Sequence, residues 1–466
     1  MKSFLLAIVA MLVLPGWSLA EAPNVVFILA DDLGYTDLAC YGSKYYETPN
    51  IDRLVEQGVK FTSNYTCGPN CQPTRAALIT GQYGPRTGIY TVGSTTRFDT
   101  SSRPLVPVEN VERLPDDKAT VAESLRKAGY KTGLFGKWHL GKHPIQRGFD
   151  EAIVTQGDHF AFKTIPKRDI PEGTYLADYL TDSALDFIER KKDDTFFLCL
   201  HHFGVHAPFQ AKDDAIEKFR AKPTFAGHRD PVYAAMIASV DESVGRVLAK
   251  LDELKLSEKT LVIFTSDNGG VGGYTAPGKR TSSITSNAPL RSGKGSLYEG
   301  GIRVPYIARW SGTIKAQSTC ETPICSVDLH PTLLDLAGAE GPAEHPLDGE
   351  SIVPLLKQPA EGKLQREAIY WHFPGYLSGA NNTWRATPSS VIRQGDWKLH
   401  EFFEDGHLEL YNLKDDLGEK KNLAQDMPEK AQELQKKLAA WRSEVKAPLP
   451  QRREEIKAPQ PEPPQE

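Results

Sequence analysis

Beyond its first twenty residues the sequence has no apolar run long enough to cross a bilayer, which excludes a protein built of membrane spans. It also lacks a dominant charge. Lys and Arg total 55 against 60 Asp and Glu, a net of −5, so capture of nucleic acid or another polyanion by bulk charge is excluded and any anion must be held locally. Cysteine is scarce: Cys40, Cys67, Cys71, Cys199, Cys320 and Cys325 are too few and too scattered for a disulfide scaffold in 466 residues. Cys320 and Cys325 are near enough in sequence to pair, although sequence alone does not establish it. No CxxC is present to match a second CxxC or an HxxxH, which argues against a structural zinc site. What is present is an average globular composition, with 40% apolar and 25% charged residues, and a length that fits one large core with a smaller appendage.

The first twenty residues have the pattern of a targeting segment. Lys2 gives a positive start, Phe4 to Leu14 an apolar stretch, and Ser18-Leu19-Ala20 a small-residue cleavage site before Glu21. The expectation is an exported chain, periplasmic or secreted, with no membrane anchor after cleavage. Asn24 to Ala30, Phe196 to Leu200 and Leu261 to Phe264 are apolar on both faces, as buried parallel strands are, and helical patterns lie between them over Val121 to Ala128, Leu180 to Arg190 and Tyr233 to Leu251. This alternation predicts a doubly wound, mostly parallel α/β sheet over residues 21–364. Short strands with turns between them follow from Ala368 to Asn412, then a helix from about Pro428 to Val445 with proline at its start. Residues 365–445 therefore read as a smaller antiparallel sheet plus helix, and 446–466, rich in Pro, Glu, Gln and Lys, as a disordered tail.

Asp31-Asp32 and Asp267-Asn268 each follow a predicted buried strand, and ligands of open α/β sheets bind at such carboxyl ends. Three carboxylates and one amide form a hard, oxygen-only donor set that suits calcium better than zinc. Two ordinary turns would account for either pair alone.

Cys71-x-Pro73-Thr74-Arg75, followed by Leu78-Ile79-Thr80-Gly81, closely resembles the signature of type I sulfatases of the alkaline phosphatase superfamily. The resemblance implies an alkaline phosphatase-like fold, a calcium ion, and conversion of Cys71 to Cα-formylglycine by a dedicated maturation enzyme. Gly136-Lys137-Trp138-His139 is similar to a second family segment, whose lysine and histidine face the sulfate and the formylglycine. His206-Ala207-Pro208 resembles the element that protonates the leaving oxygen, and Lys294 the lysine that bridges sulfate and the metal side. The resemblance implies that Arg75 holds the formylglycine geometry, that residue 71 joins Asp31, Asp32, Asp267 and Asn268 on the metal, and that His139 is the base that closes the cycle. Gln72, Asn70, Thr74 and Phe135 depart from the usual residues, whereas Pro73 and Arg75 are retained.

For substrate, His202, His372 and Arg385 are the binding candidates, with Gly270 to Arg291, Trp371-His372-Phe373 and Trp384-Arg385 as pocket walls. A sulfated poly- or oligosaccharide is the expected class. Two other readings remain open at this level: a phosphonate monoester hydrolase or phosphodiesterase of the same superfamily, and a non-catalytic glycan-binding protein in which Cys71 stays a thiol.

Overall fold

The computed structural model describes residues 22–272, 284–378 and 384–454. The predicted leader and residues 455–466 of the predicted tail lie outside these. The strands β1 (Asn24–Ala30), β2 (Val59–Phe61), β3 (Lys131–Gly136), β4 (Glu151–Gly157), β5 (Phe162–Ile165), β6 (Phe196–His201), β7 (Thr260–Ser266), β8 (Tyr306–Arg309) and β9 (Ser318–Cys320) form one nine-stranded sheet in the order β9-β2-β8-β7-β1-β6-β3-β4-β5. From β7 to β4 neighbouring strands are parallel. Antiparallel contacts enter only at β8 and β5.

Side chains alternate across the sheet, and each face is covered. On one face Val26, Ile28 and Ala30 of β1 join a core with Leu180, Ala184 and Phe187 and with Tyr233, Val240 and Val247. On the other, Val25, Phe27 and Leu29 join Ala76 and Ile79, Val121 and Leu125, and Leu333. The helices involved are α1 (Cys71–Thr80), α2 (Val121–Lys127), α3 (Leu176–Arg190), α4 (Pro231–Glu253) and α5 (Leu329–Ala337). This is the doubly wound, mostly parallel arrangement that the sequence predicts, with ligand-binding loops at the carboxyl edge of the central strands.

The smaller sheet is an antiparallel meander of β10 (Ala368–Phe373), β11 (Ser389–Gln394), β12 (Trp397–Phe402) and β13 (Leu408–Asn412). Helix α6 (Pro428–Glu444) covers it, burying Ala431, Leu434, Leu438 and Trp441. Its core is shared with the larger unit, because Tyr65, Cys67, Ala77 and Ile302 pack with Trp371, Val391 and Leu399. Between the two sheets lies a buried ionic network: Lys398 sits 2.9 Å from both Glu299 and Glu419, and Arg303 pairs with Glu299 at 3.1 Å.

One expectation is corrected here. The tail is not disordered from Lys446: Gln451–Arg452 pairs with Leu105–Val106, the Arg453 amide donates to the Pro104 carbonyl at 2.9 Å, and its guanidinium donates to the carbonyls of Arg103 and Thr100. Main-chain pairing of this kind needs no apolar side chains, so composition does not reveal it.

Candidate active site

Four parallel strands end side by side and deliver the polar residues. Asp31 and Asp32 follow β1, Lys137 and His139 follow β3, His201 closes β6 ahead of His206, and Asp267 and Asn268 follow β7. Cys71 is the first residue of α1, whose cap residue Asn70 makes no side-chain capping bond. The amino end of that helix, with its partial positive charge, therefore faces the carboxylates. Asp32 (φ 66°) and His139 (φ 64°) both hold left-handed backbone conformations unusual for non-glycine residues, as strained functional positions often do.

Arg75, one turn into α1, is the hub. Its Nε donates to Asp267 Oδ2 at 2.8 Å and its Nη1 to the Lys137 carbonyl at 2.8 Å, while Nη2 lies 3.8 Å from Asp31. The Lys137 ammonium pairs with Asp31 and that of Lys294 with both Asp32 oxygens at 2.6 and 2.7 Å. His139 Nδ1 lies 3.4 Å from Cys71 Sγ, and His206 Nε2 3.8 Å from Asp32 Oδ2. Asn268 Nδ2 donates to Asp32 Oδ1 at 2.8 Å.

Electrostatics follow from burial. Loss of solvent disfavours an ionised Asp31, yet Lys137, His206, Arg75 and Lys294 around it hold its carboxyl far below the usual range. Asp267 moves the other way, because burial and then the neighbouring Asp31 push it up. Burial also raises the Cys71 thiol against the pull of Lys137 and Lys294, so the unmodified residue is a neutral thiol. His139 is lowered to about 3 by burial, then by Lys137 and Arg75, and stays neutral.

The donor set fits a hard cation. Asp31 Oδ1 and Asn268 Oδ1 are buried without any hydrogen-bond partner, and one ligand atom each from Asp31, Cys71 and Asp267 lie within 4.8 Å of one another. A cation there would satisfy both orphaned oxygens and relieve the Asp31–Asp267 repulsion.

Other expectations are corrected. His202 is fully buried and bonded to Ser243 Oγ at 2.9 Å, so it is a core residue and not a pocket wall. His372 is buried in the smaller unit between Ser390 Oγ and the Pro448 carbonyl, both at 2.8 Å, and Trp371 donates to the Thr66 carbonyl in the same core. Arg385 does reach the site's periphery, donating from Nη1 to the Lys294 carbonyl at 2.8 Å. Residues 273–283 of the expected Gly270–Arg291 wall lie outside the described residues. Cys325 faces Cys67, not Cys320.

Sequence reasoning missed the supports. Ser266 Oγ accepts from the Leu33 amide and donates to the Asn268 carbonyl, tying the loops after β1 and β7 together. Tyr233 donates to Asp37 at 2.7 Å and to the Asp32 carbonyl at 3.2 Å, and Asn287 donates to the carbonyls of Gly270 and Ser292. Tyr233 reads locally as one more apolar helix position, so nothing near it in sequence signals this role.

The family model described as Sulfatase matches residues 23–339. The chain belongs to the sulfatase family. A second model, N-sulphoglucosamine sulphohydrolase, C-terminal, matches residues 293–446 of this sulfatase. It is 35% identical to a sulfatase of Formosa agariphila over 92% of this chain and 90% of that protein. It is 33% identical to N-acetylgalactosamine-6-sulfatase of Homo sapiens, over 76% of this chain and 68% of the relative. Among solved structures, Ps i-CgsB in complex with k-i-k-neocarrahexaose matches with a TM-score of 0.75 at 29% identity, covering 90% of this chain and 93% of that one. The sulfatase is accordingly a hydrolase of sulfuric esters. Among the described residues no helix is long and apolar enough to cross a membrane.

Proposed function

We propose that this sulfatase is exported and removes sulfate from sulfated poly- or oligosaccharides, after a formylglycine-generating enzyme has matured Cys71 and with one calcium ion held by Asp31, Asp32, Asp267, Asn268 and residue 71. The observation that carries this reading is the pair of orphaned buried oxygens, Asp31 Oδ1 and Asn268 Oδ1, beside Cys71 at the first position of α1, flanked by Lys137, Lys294 and His139. The carbohydrate class is supported by the relatives, one named for N-acetylgalactosamine 6-sulfate and another solved with a neocarrahexaose.

Calcium bound there supplies positive charge that offsets the sulfate anion, and hydrated formylglycine supplies an oxygen nucleophile in place of a neutral thiol. The rest falls to side chains of this chain. Lys137 and Lys294 present ammonium groups to the ester oxygens, where charge grows in the transition state. Arg75 fixes Asp267 and the Lys137 carbonyl, so that the first turn of α1 keeps its position. His206, about one third exposed at the rim, gives a proton to the departing alcohol oxygen. His139, neutral and beside position 71, accepts a proton from the group that stands there.

Trypsin cuts after Lys60 and Arg75, so one peptide reports maturation. Mass spectrometry of residues 61–75 from the native host is expected to find an aldehyde at position 71, and Cys71→Ala to abolish turnover of sulfated oligosaccharides with the fold intact. A thiol at position 71 in protein that turns over would overturn the mechanism. Asp267→Ala is expected to lose the bound metal in elemental analysis; unchanged metal content would remove it from the ligand set. Faster turnover of phosphonate or phosphate esters than of sulfate esters would reassign the substrate.

A further inference from the structure

Four residues before Cys71, on the same turn, stands a second cysteine that the hydrolytic chemistry does not use. Cys67 Sγ lies 3.1 Å from Cys325 Sγ, and both are buried in the core shared by the two sheets. Their backbones are held in step: Asn64–Tyr65 pairs parallel with Ile324–Cys325, placing Tyr65 opposite Cys325. The Cys325 amide is fixed by Asp328 Oδ2 at 2.8 Å, and Ser326 Oγ donates to the Tyr65 carbonyl. The Cys67 side is equally constrained, since the Thr66 amide donates to the Ile302 carbonyl and the Gly295 amide to the Pro69 carbonyl. Sulfurs at this separation on two pinned segments need to close by only about 1 Å to reach the S–S bond length.

We infer that Cys67 and Cys325 are joined by a disulfide in the mature protein, fastening the turn that presents Cys71 to the segment that leads into α5. The inference rests on the export reading for its setting, because a disulfide persists only in an oxidising compartment. In the reaction each thiol gives up its proton, and the two sulfurs together give up two electrons to the disulfide of a thiol–disulfide oxidoreductase or of oxidised glutathione. That disulfide becomes two thiols, and the new bond forms through a mixed-disulfide intermediate. The bond closes as the chain folds, before burial removes both sulfurs from attack, and burial then shields it from reductants. It also takes Cys67 out of the free-thiol pool of the folded protein.

The test uses full-length protein recovered from the exporting compartment, denatured and alkylated without reductant, then digested. Cys67 shares residues 61–75 with Cys71, and Cys320 shares residues 316–357 with Cys325, so Cys71→Ala and an added cut after Glu321 make the assignment unique. The expected result is a cross-linked peptide pair carrying Cys67 and Cys325 that separates on reduction. Recovery of Cys325 joined to Cys320, or of both residues alkylated here and again after oxidative refolding, overturns the inference. A parallel sample made in the cytosol without residues 1–20, then unfolded, reduced and refolded with oxidised and reduced glutathione, separates pairing from export. The Cys67–Cys325 link forming there, with thiols in the cell-derived sample, would fault the export reading alone; its absence there overturns the pairing. Cys67→Ser, Cys325→Ser and the double variant are expected to share one lowered Tm that reductant no longer shifts. Unequal, additive losses would mean two packed thiols and no bond.

Discussion

In the proposed mechanism His206 and His139 divide the proton traffic by exposure: one stands at the rim near Asp32, the other is enclosed against Cys71. His206→Ala is therefore expected to cut kcat/KM by about 10²–10⁴-fold on sugar sulfates, whose alkoxide leaves poorly, and much less on nitrophenyl sulfate. Equal losses on the two substrates would assign the acid elsewhere. At this scale the sequence was legible where chemistry comes in contiguous motifs. Asp31-Asp32, Cys71 to Arg75, Lys137 to His139 and Asp267-Asn268 each sit at a strand or helix end, and the strand pattern tells which end. It was misleading where residue type stood in for direction. His202, His372 and Trp371 are chemically suited to binding sugar, but each points into a core, which depends on contacts made 41, 76 and 305 residues away and not on neighbours in sequence.

At the scale of elements, the loop after β3 shows how backbone geometry places a side chain. Gly136 has φ 119°, and a Cβ there would come within 1.8 Å of the His201 carbonyl oxygen on β6. Gly136→Ala must shift that strand end and Lys137 with it, with an expected cost of at least about 3 kcal/mol in denaturant unfolding and a fall in kcat of more than about tenfold. Thr120→Ala makes a milder comparison. It removes the capping box that Thr120 forms with Glu123 at the start of α2, costs about 1 kcal/mol, and leaves kinetics unchanged. Wild-type stability in the glycine variant would refute the clash. The same elements explain what could be read in advance. β1, β6 and β7 are apolar on both faces and announce themselves, and α2 to α4 carry a helical period. Helix α1 escapes periodicity because every one of its residues is buried, so no polar face alternates with an apolar one. β2 and β9 are three residues each and too short to leave a pattern.

For the molecule as a whole, stability is tied to pH through histidines kept neutral by burial. His202, His330 and His372 are each lowered from 6.5 to about 4, burial being the largest cause in every case. Between those values the unfolded chain binds more protons than the folded one, so stability is full above pH 6.5 and falls as the pH drops toward 4. The loss per site between pH 6.5 and 5 is on the order of 2 kcal/mol. Calorimetry from pH 7.5 to 5 is expected to show a steep fall in Tm, made shallower in His372→Gln; a flat profile in the parent protein would sink this account. None of the three sits in a motif, and their burial follows only from how both sheets and their covering segments come together.

The placement of β1 has a consequence in time. The strand is synthesised before the rest of its sheet, and its two partners lie far downstream: Asn24 meets the Phe196 amide 172 positions later and Thr260 236 positions later. The middle of the large sheet stays unsealed until the ribosome has passed residue 266, and Lys294 joins the site later still. Throughout that interval the peptide around Cys71 is open chain, whereas in the finished fold the residue is only 2% exposed. Any enzyme that acted on Cys71 would have to work on the nascent or unfolded polypeptide, and the slow long-range pairing would lengthen its opportunity.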